Sequence, residues 1–228
     1  MRVIAATIIL FILALAPEAQ AQPRIQCPTM DAPIFNLNVD NRPVRIIPNA
    51  DQNRMRQLYT QHNPGRAAGL TSHHSIGGLH HGEITLRTQF NILQATQGAA
   101  ACLGLQSLDM TLVYDPIIYI SSDRPRGSCE YNAALEHEYK HHNTDLLVLR
   151  QAVPLLRAAA QRSISSLRLP LQTQTSQLAQ AREQLQQQIT DQLNLEMDRI
   201  EKQRNQRQAL IDTPAEYQRV ASICPPRR

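Results

Sequence analysis

The stretch LDMTLVYDPIIYI, residues 108–120, followed after a short loop by CEYNAALEHEYKHHNTDLLVL, residues 129–149, decides the architecture. The first piece joins Val113, Ile117, Ile118 and Ile120 to Tyr114 and Tyr119, a β-branched and aromatic content that suits a pleated surface. Asp115-Pro116 predicts a turn or edge kink within it, because proline donates nothing to a strand ladder. Ser121 to Cys129 is polar, holds Pro125 and Gly127, and reads as a loop. Helix is expected from Ser128–Glu130 to about Leu156, bending near Pro154.

Working outward, Glu83 to Leu93 alternates in part (Ile84, Leu86, Thr88, Phe90) and predicts another strand. Gly77 and Gly78 place a turn within Thr71–Gly82, which carries His73, His74, His80 and His81. Gln22 to Pro64 reads as extended segments and loops with a small helix near Gln52–Gln61. Gln172 to Ala209 has neither Gly nor Pro and predicts one long helix. Its Leu178, Leu185, Ile189, Leu193, Met197 and Ile200 form one apolar stripe at helical spacing. Such a stripe is a core-facing seam, and it also allows a dimer contact. The expected fold class is α+β: a small, mostly antiparallel sheet, the helix of residues 129–149 beneath it, and a long C-terminal helix crossing the site.

The N-terminus has the order of a secretory signal peptide over residues 1–21. Arg2 supplies positive charge, Val3–Leu15 is apolar, and Ala19-Gln20-Ala21 has the small-x-small cleavage form. The mature chain, from about Gln22, then divides into a catalytic region to residue 170 and a helical segment with its tail from 171 to 228. No later apolar run approaches membrane length, so no span is expected after cleavage. Four cysteines in a secreted or periplasmic chain predict disulfides, and Cys102–Cys129 with Cys27–Cys224 are the favoured pairs. The net charge is +4, but the basic residues are scattered and Trp is absent. With no basic tract and no stacking platform, nucleic acid is not an expected partner.

His137-Glu138-Tyr139-Lys140-His141 carries the chemistry. On a helix the two histidines lie about 40° apart and about 6 Å along the axis, so one metal ion can be reached by both. Glu138, one position on, can sit beside a metal-bound water without ligating. Zinc acidifies that water, and Glu138 would take its proton as the water attacks a carbonyl. Chance would supply on the order of 0.01 such matches in this chain.

Leu108–Leu149 therefore resembles the active-site region of the zincin metallopeptidases. The wider arrangement resembles the predicted secreted zinc-dependent proteases of bacteria. The resemblance implies Zn2+ held by His137 and His141, Glu138 as general base, and an upstream edge strand that binds substrate in extended form. The metzincin pattern is absent, since neither the following Gly nor the third His is present. A third ligand is required. Glutamate on a following helix is one solution, and Glu196 is favoured over Glu183 and Glu201 because it projects within the apolar stripe, where a carboxylate must be paired or bound. Asp145 continues the series but lies about 12 Å along the axis from His137, so it suits a role orienting His141. The histidine group at residues 73–81 stays open as a ligand source. Tyr131 and Tyr139 are candidates for oxyanion contact, and His142 reads as structural. The expected function is hydrolysis of a peptide or protein substrate. The rival is a non-catalytic envelope protein whose helix binds a partner and whose histidines are incidental or buffer metal.

Overall fold

The computed structural model describes residues 26–62 and 76–225. The expected signal peptide, His73 and His74 lie outside the described residues. The elements run β1 (Ile34–Asn41), β2 (Arg45–Ala50), α1 (Gln52–His62), β3 (Gly78–Gln97), β4 (Ala100–Ser121), α2 (Cys129–Ser165), β5 (Leu171–Gln174), α3 (Leu178–Ala209) and α4 (Pro214–Ser222). The small helix expected near Gln52–Gln61 is α1.

β4 is the spine of one sheet. β3 pairs antiparallel with its whole length, from Gln97 opposite Ala100 to Gly78 opposite Ile120. The hairpin between them turns at Gly98-Ala99, where Gly98 has φ 60°, a value that glycine adopts without a Cβ clash. With that edge filled, three strands share the other. β5 pairs antiparallel at Ala100–Leu103, β1 parallel at Ser107–Tyr114, and β2 parallel at Ile117–Ser121. The longest pairing is antiparallel, as expected, while the parallel strands β1 and β2 make the sheet mixed. β1 and β2 are two pieces of one extended run interrupted only at residues 42–44, where Pro43 cannot donate, so both point the same way along β4.

The turn expected at Asp115-Pro116 does not form. β4 runs through it, and Pro116 falls in the interval between the end of β1 pairing at Tyr114 and the start of β2 pairing at Ile117. This corrects the disulfides as well. An unbroken strand puts Cys102 and Cys129 at opposite ends of roughly 60 Å of extended chain. The pairs are instead Cys27–Cys102 and Cys129–Cys224. Closing loops of this length contributes about 4–5 kcal/mol each in chain-entropy terms. His80 and His81 lie in β3, not in a turn.

All the long helices lie on one face of the sheet. Leu108, Met110, Leu112 and Tyr114 of β4, with Ile84 and Leu86 of β3, meet Val148, Leu149, Ala152 and Leu156 of α2. The α3 stripe closes the same core through Leu185, Ile189, Leu193 and Ile200. Each such side chain contributes about 1.5–3 kcal/mol on burial. The stripe is therefore a seam within the chain. α1 packs Met55 and Leu58 on Leu79 and Tyr119 at one end of the sheet.

Ser128 caps α2, its Oγ accepting from the Tyr131 N–H at 3.1 Å. α2 then runs past the expected end to Ser165, with Pro154 inside. Pro154 is exposed, so the Arg150 carbonyl that loses its donor can be solvated. Before α3, residues 171–174 join the sheet as β5, so the C-terminal helix starts later than the sequence predicts. Among the described residues no helix is long and apolar enough to cross a membrane.

Candidate metal centre

His137 and His141 project from one face of α2, as the four-residue spacing requires. The third group is Asp212, in the turn between α3 and α4. His141 Nε2 lies 3.1 Å from Asp212 Oδ1, His137 Nε2 lies 3.4 Å from the same oxygen, and the two Nε2 atoms are 3.3 Å apart. These three residues form a group that could hold a metal ion.

The far side of each ring fixes which nitrogen is available. His137 Nδ1 meets Glu216 Oε1 at 3.3 Å, and that carboxylate is held by Lys140 Nζ at 2.6 Å and Arg219 Nη2 at 2.8 Å. His141 Nδ1 meets Gln208 Oε1. Gln208 turns its NH2 to the Asp145 carboxylate, which can only accept, so its carbonyl is left to accept from His141 Nδ1–H. These acceptors favour a proton on Nδ1 of each ring, so that with a metal bound each Nε2 would turn its lone pair to the common point. Asp145 reaches His141 through Gln208, not directly. It is fully buried and also accepts from Arg204 Nε at 2.7 Å and Nη2 at 2.9 Å.

Three small or polar residues on the inward face of β3 make room for this. Gly78, His80 and Gly82 alternate along the strand, and each faces α2. A Cβ at Gly78 would lie 2.5 Å from Glu138 Oε1, and one at Gly82 would run into the Asp145 carboxylate. His80 stacks on His141 with centroids 6.3 Å apart and meets the Tyr114 hydroxyl at 3.2 Å. Tyr114 in turn meets His142 Nδ1 at 2.9 Å, which gives His142 its structural place. Burial and the neighbouring His141 and Arg204 push the His80 pKa down to about 2, so this ring stays neutral. Gly78→Ala should therefore displace Glu138 by the better part of an ångström. Metal affinity is expected to stay within about a few-fold of the unaltered chain, because the added Cβ meets Glu138 and not the group of three, and titration calorimetry measures it.

Glu138 is 5% exposed. Burial raises its pKa above the ordinary carboxylate range, with Asp212 adding to the rise, while His141 and His137 oppose it. For Asp212 burial works the other way from its partners. Hydrogen bonds from His137 and His141 win and hold its carboxyl well below the usual range. The Tyr217 hydroxyl also donates to Asp212 Oδ1, at 3.0 Å. A cleft of 1380 Å³ opens over these groups, with β3 on one side and Tyr217, Val220 and Cys224 on the other.

Glu196 does not belong to the centre, which corrects the favoured third ligand. It is buried on α3 but paired with Arg199 Nη1 at 3.1 Å and Arg162 Nη2 at 3.7 Å. It lies four turns of helix before Asp212, and arginine satisfies the buried carboxylate that had a metal or a partner as its expected neighbour. Asp212 is missed by that reasoning because it considers only acids on the long helix. Its signal is Asp212-Thr213-Pro214, a helix stop followed by a capped restart, in which Thr213 accepts from the Glu216 N–H. Tyr131 is packed with Ile118 and Ile120, and Tyr139 lies edge-on to His142, so Tyr217 is the tyrosine at the centre. His81 lines the cleft without joining the group. Asp212→Ala is expected to lower metal-ion affinity at least about a hundredfold, beyond what loss of an outer partner costs, whereas Glu196→Ala leaves it nearly unchanged. Titration calorimetry of the two variants decides the assignment.

No family model, curated protein or solved structure matches this chain.

Proposed function

We propose that the chain is an exported zinc-dependent hydrolase of zincin type that cleaves peptide bonds, with His137, His141 and Asp212 as the metal ligands and Glu138 as general base. The observation that carries this reading is the triangle of ligand atoms with edges of 3.1, 3.3 and 3.4 Å. Tetrahedral zinc with bonds of ~2.05 Å separates its ligand atoms by about 3.3 Å. An octahedral face with similar bonds, as in a two-histidine, one-carboxylate iron site, would bring them to about 3.0 Å. The triangle is compatible with either, and zinc is favoured by the two histidines four residues apart with Glu138 between them.

Zinc bound there would act as a Lewis acid that polarises a carbonyl and acidifies water. The protein's own groups would do the rest. Glu138, buried on the same helix and facing the same cleft, accepts the proton of the attacking water and passes it to the leaving amine. Tyr217 Oη lines the same cleft 3.0 Å from Asp212 Oδ1, and with the ion bound its hydroxyl could turn to the oxygen that gains charge. The outer edge of β3 carries no strand among the described residues, so an extended peptide can pair along it past Glu138. Two disulfides support an oxidising compartment.

The deciding experiment measures bound zinc and cleavage of an unstructured protein by the purified chain, with new termini identified by mass spectrometry. About one zinc per chain with chelator-sensitive cleavage is expected. A metal-free, inactive wild type would end this reading.

A further inference from the structure

The cleft wall formed by α4 is held in an unusual way. α4 has nine residues, none of them buried, and it contributes nothing to any of the core clusters among the described residues. A helix of this length does not persist alone in water. Its ties to α2 are ion pairs, Lys140–Glu216 and Arg219–Glu136, and the His137–Glu216 contact. Exposed pairs such as Arg219–Glu136 hold weakly. Tyr217 adds a tilted ring contact with His137, and the one covalent tie among the described residues is the Cys129–Cys224 disulfide, which fastens the chain two residues past α4 to the first residue of α2. This strap carries Glu216 and Tyr217, and Asp212 lies two residues before it.

We propose that Cys129–Cys224 is a thiol–disulfide exchange site, opened by a dithiol, whose reduction releases α4 and dismantles the centre. The two disulfides differ in access. Cys129 is exposed and Cys224 is half-buried on the cleft, while Cys27 is half-buried and Cys102 fully buried in the sheet, so only Cys129–Cys224 offers an exposed cysteine. A dithiol's thiolate attacks Cys129 Sγ, and Cys224 leaves as thiolate and takes up a proton. The second thiol of the reductant then displaces Cys129. The reductant ends as its cyclic disulfide and the protein gains two electrons and two protons as two thiols. Freed of the bond, residues 210–224 depart as a unit. The histidines then keep their places on α2 but lose Asp212 and Glu216.

The inference rests on the reading of the centre only for its metal readout. Purified chain is exposed to graded dithiothreitol, and free thiols are alkylated and mapped by mass spectrometry. Amide exchange and Zn2+ affinity are followed in parallel. Cys129 and Cys224 should be alkylated at reductant levels that leave Cys27–Cys102 closed. Exchange over residues 210–224 should rise at least about tenfold while β3 and β4 stay protected, and zinc affinity should fall by about a hundredfold or more. The Cys129→Ser, Cys224→Ser double variant should show both effects without reductant and ignore its addition. Unchanged exchange once Cys129–Cys224 is open, or earlier opening of Cys27–Cys102, would overturn the proposal. If the oxidised chain binds no zinc, the metal reading fails by itself and the exchange measurement still decides this one. Should the double variant not fold, the reductant series on the wild type decides by the same two criteria.

Discussion

Glu138→Gln is expected to keep its zinc and lose about 10²- to 10⁴-fold in turnover. The substitution preserves shape in a site where shape is tight, because the carboxylate lies against Gly78 and is 5% exposed. It removes only the capacity to accept a proton. The ligand triangle does not include Glu138, so the affinity for metal should stay within a few-fold of wild type. Stability should hold or rise slightly, since a buried carboxylate becomes a neutral amide. The test pairs elemental analysis with kcat/KM on one protein batch. A variant that loses metal and activity together would make Glu138 a ligand, contrary to the geometry. A variant with undiminished turnover would place the base elsewhere. Neither result can be mistaken for unfolding if Tm is recorded alongside.

How much of this centre is legible in the sequence depends on the range of each interaction. His137 and His141 are legible because helical geometry alone puts them on one face, and α2 holds that geometry from Ser128 onward. Asp212 is not, because a helix stop has no periodicity to read, and its approach to α2 depends on where thirty-two residues of α3 end. Glu196 shows a different limit. Burial on the stripe demands a partner for its carboxylate but does not distinguish arginine from metal, and Arg199, one turn away, is the nearer answer. In the sheet, alternation locates β3 and β4, yet nothing local tells a turn at Pro116 from a straight passage. That one ambiguity decides both the strand directions around β4 and the cysteine pairing. Gly78, His80 and Gly82 look like a turn because glycine usually marks one. In β3 they serve the opposite purpose, leaving space on a straight strand for two carboxylates from α2.

Asp145→Ala is expected to cost about 3–5 kcal/mol of stability. Asp145 is fully buried and Arg204, whose side chain is 15% exposed, reaches it with two nitrogens. Deleting the carboxylate leaves that guanidinium only Glu201, at 3.1 Å, as a charged partner, and leaves Gln208 Nε2 only the His141 carbonyl, also at 3.1 Å. Denaturant unfolding measures the loss. The pair is not required for stability as such, because apolar side chains of similar size often replace a buried ion pair at no cost. Asp145→Leu with Arg204→Met should therefore recover most of what Asp145→Ala loses. Zinc affinity should separate from stability at this point. With Asp145 gone only the His141 carbonyl orients the Gln208 amide, so the acceptor at His141 Nδ1 is held less firmly and the ring with it. The double variant is thus expected to fold well and bind zinc about 10- to 100-fold more weakly. Recovery of stability and affinity together would show that Asp145 serves packing alone. Recovery of stability without affinity would show that the buried pair is retained for the orientation of His141.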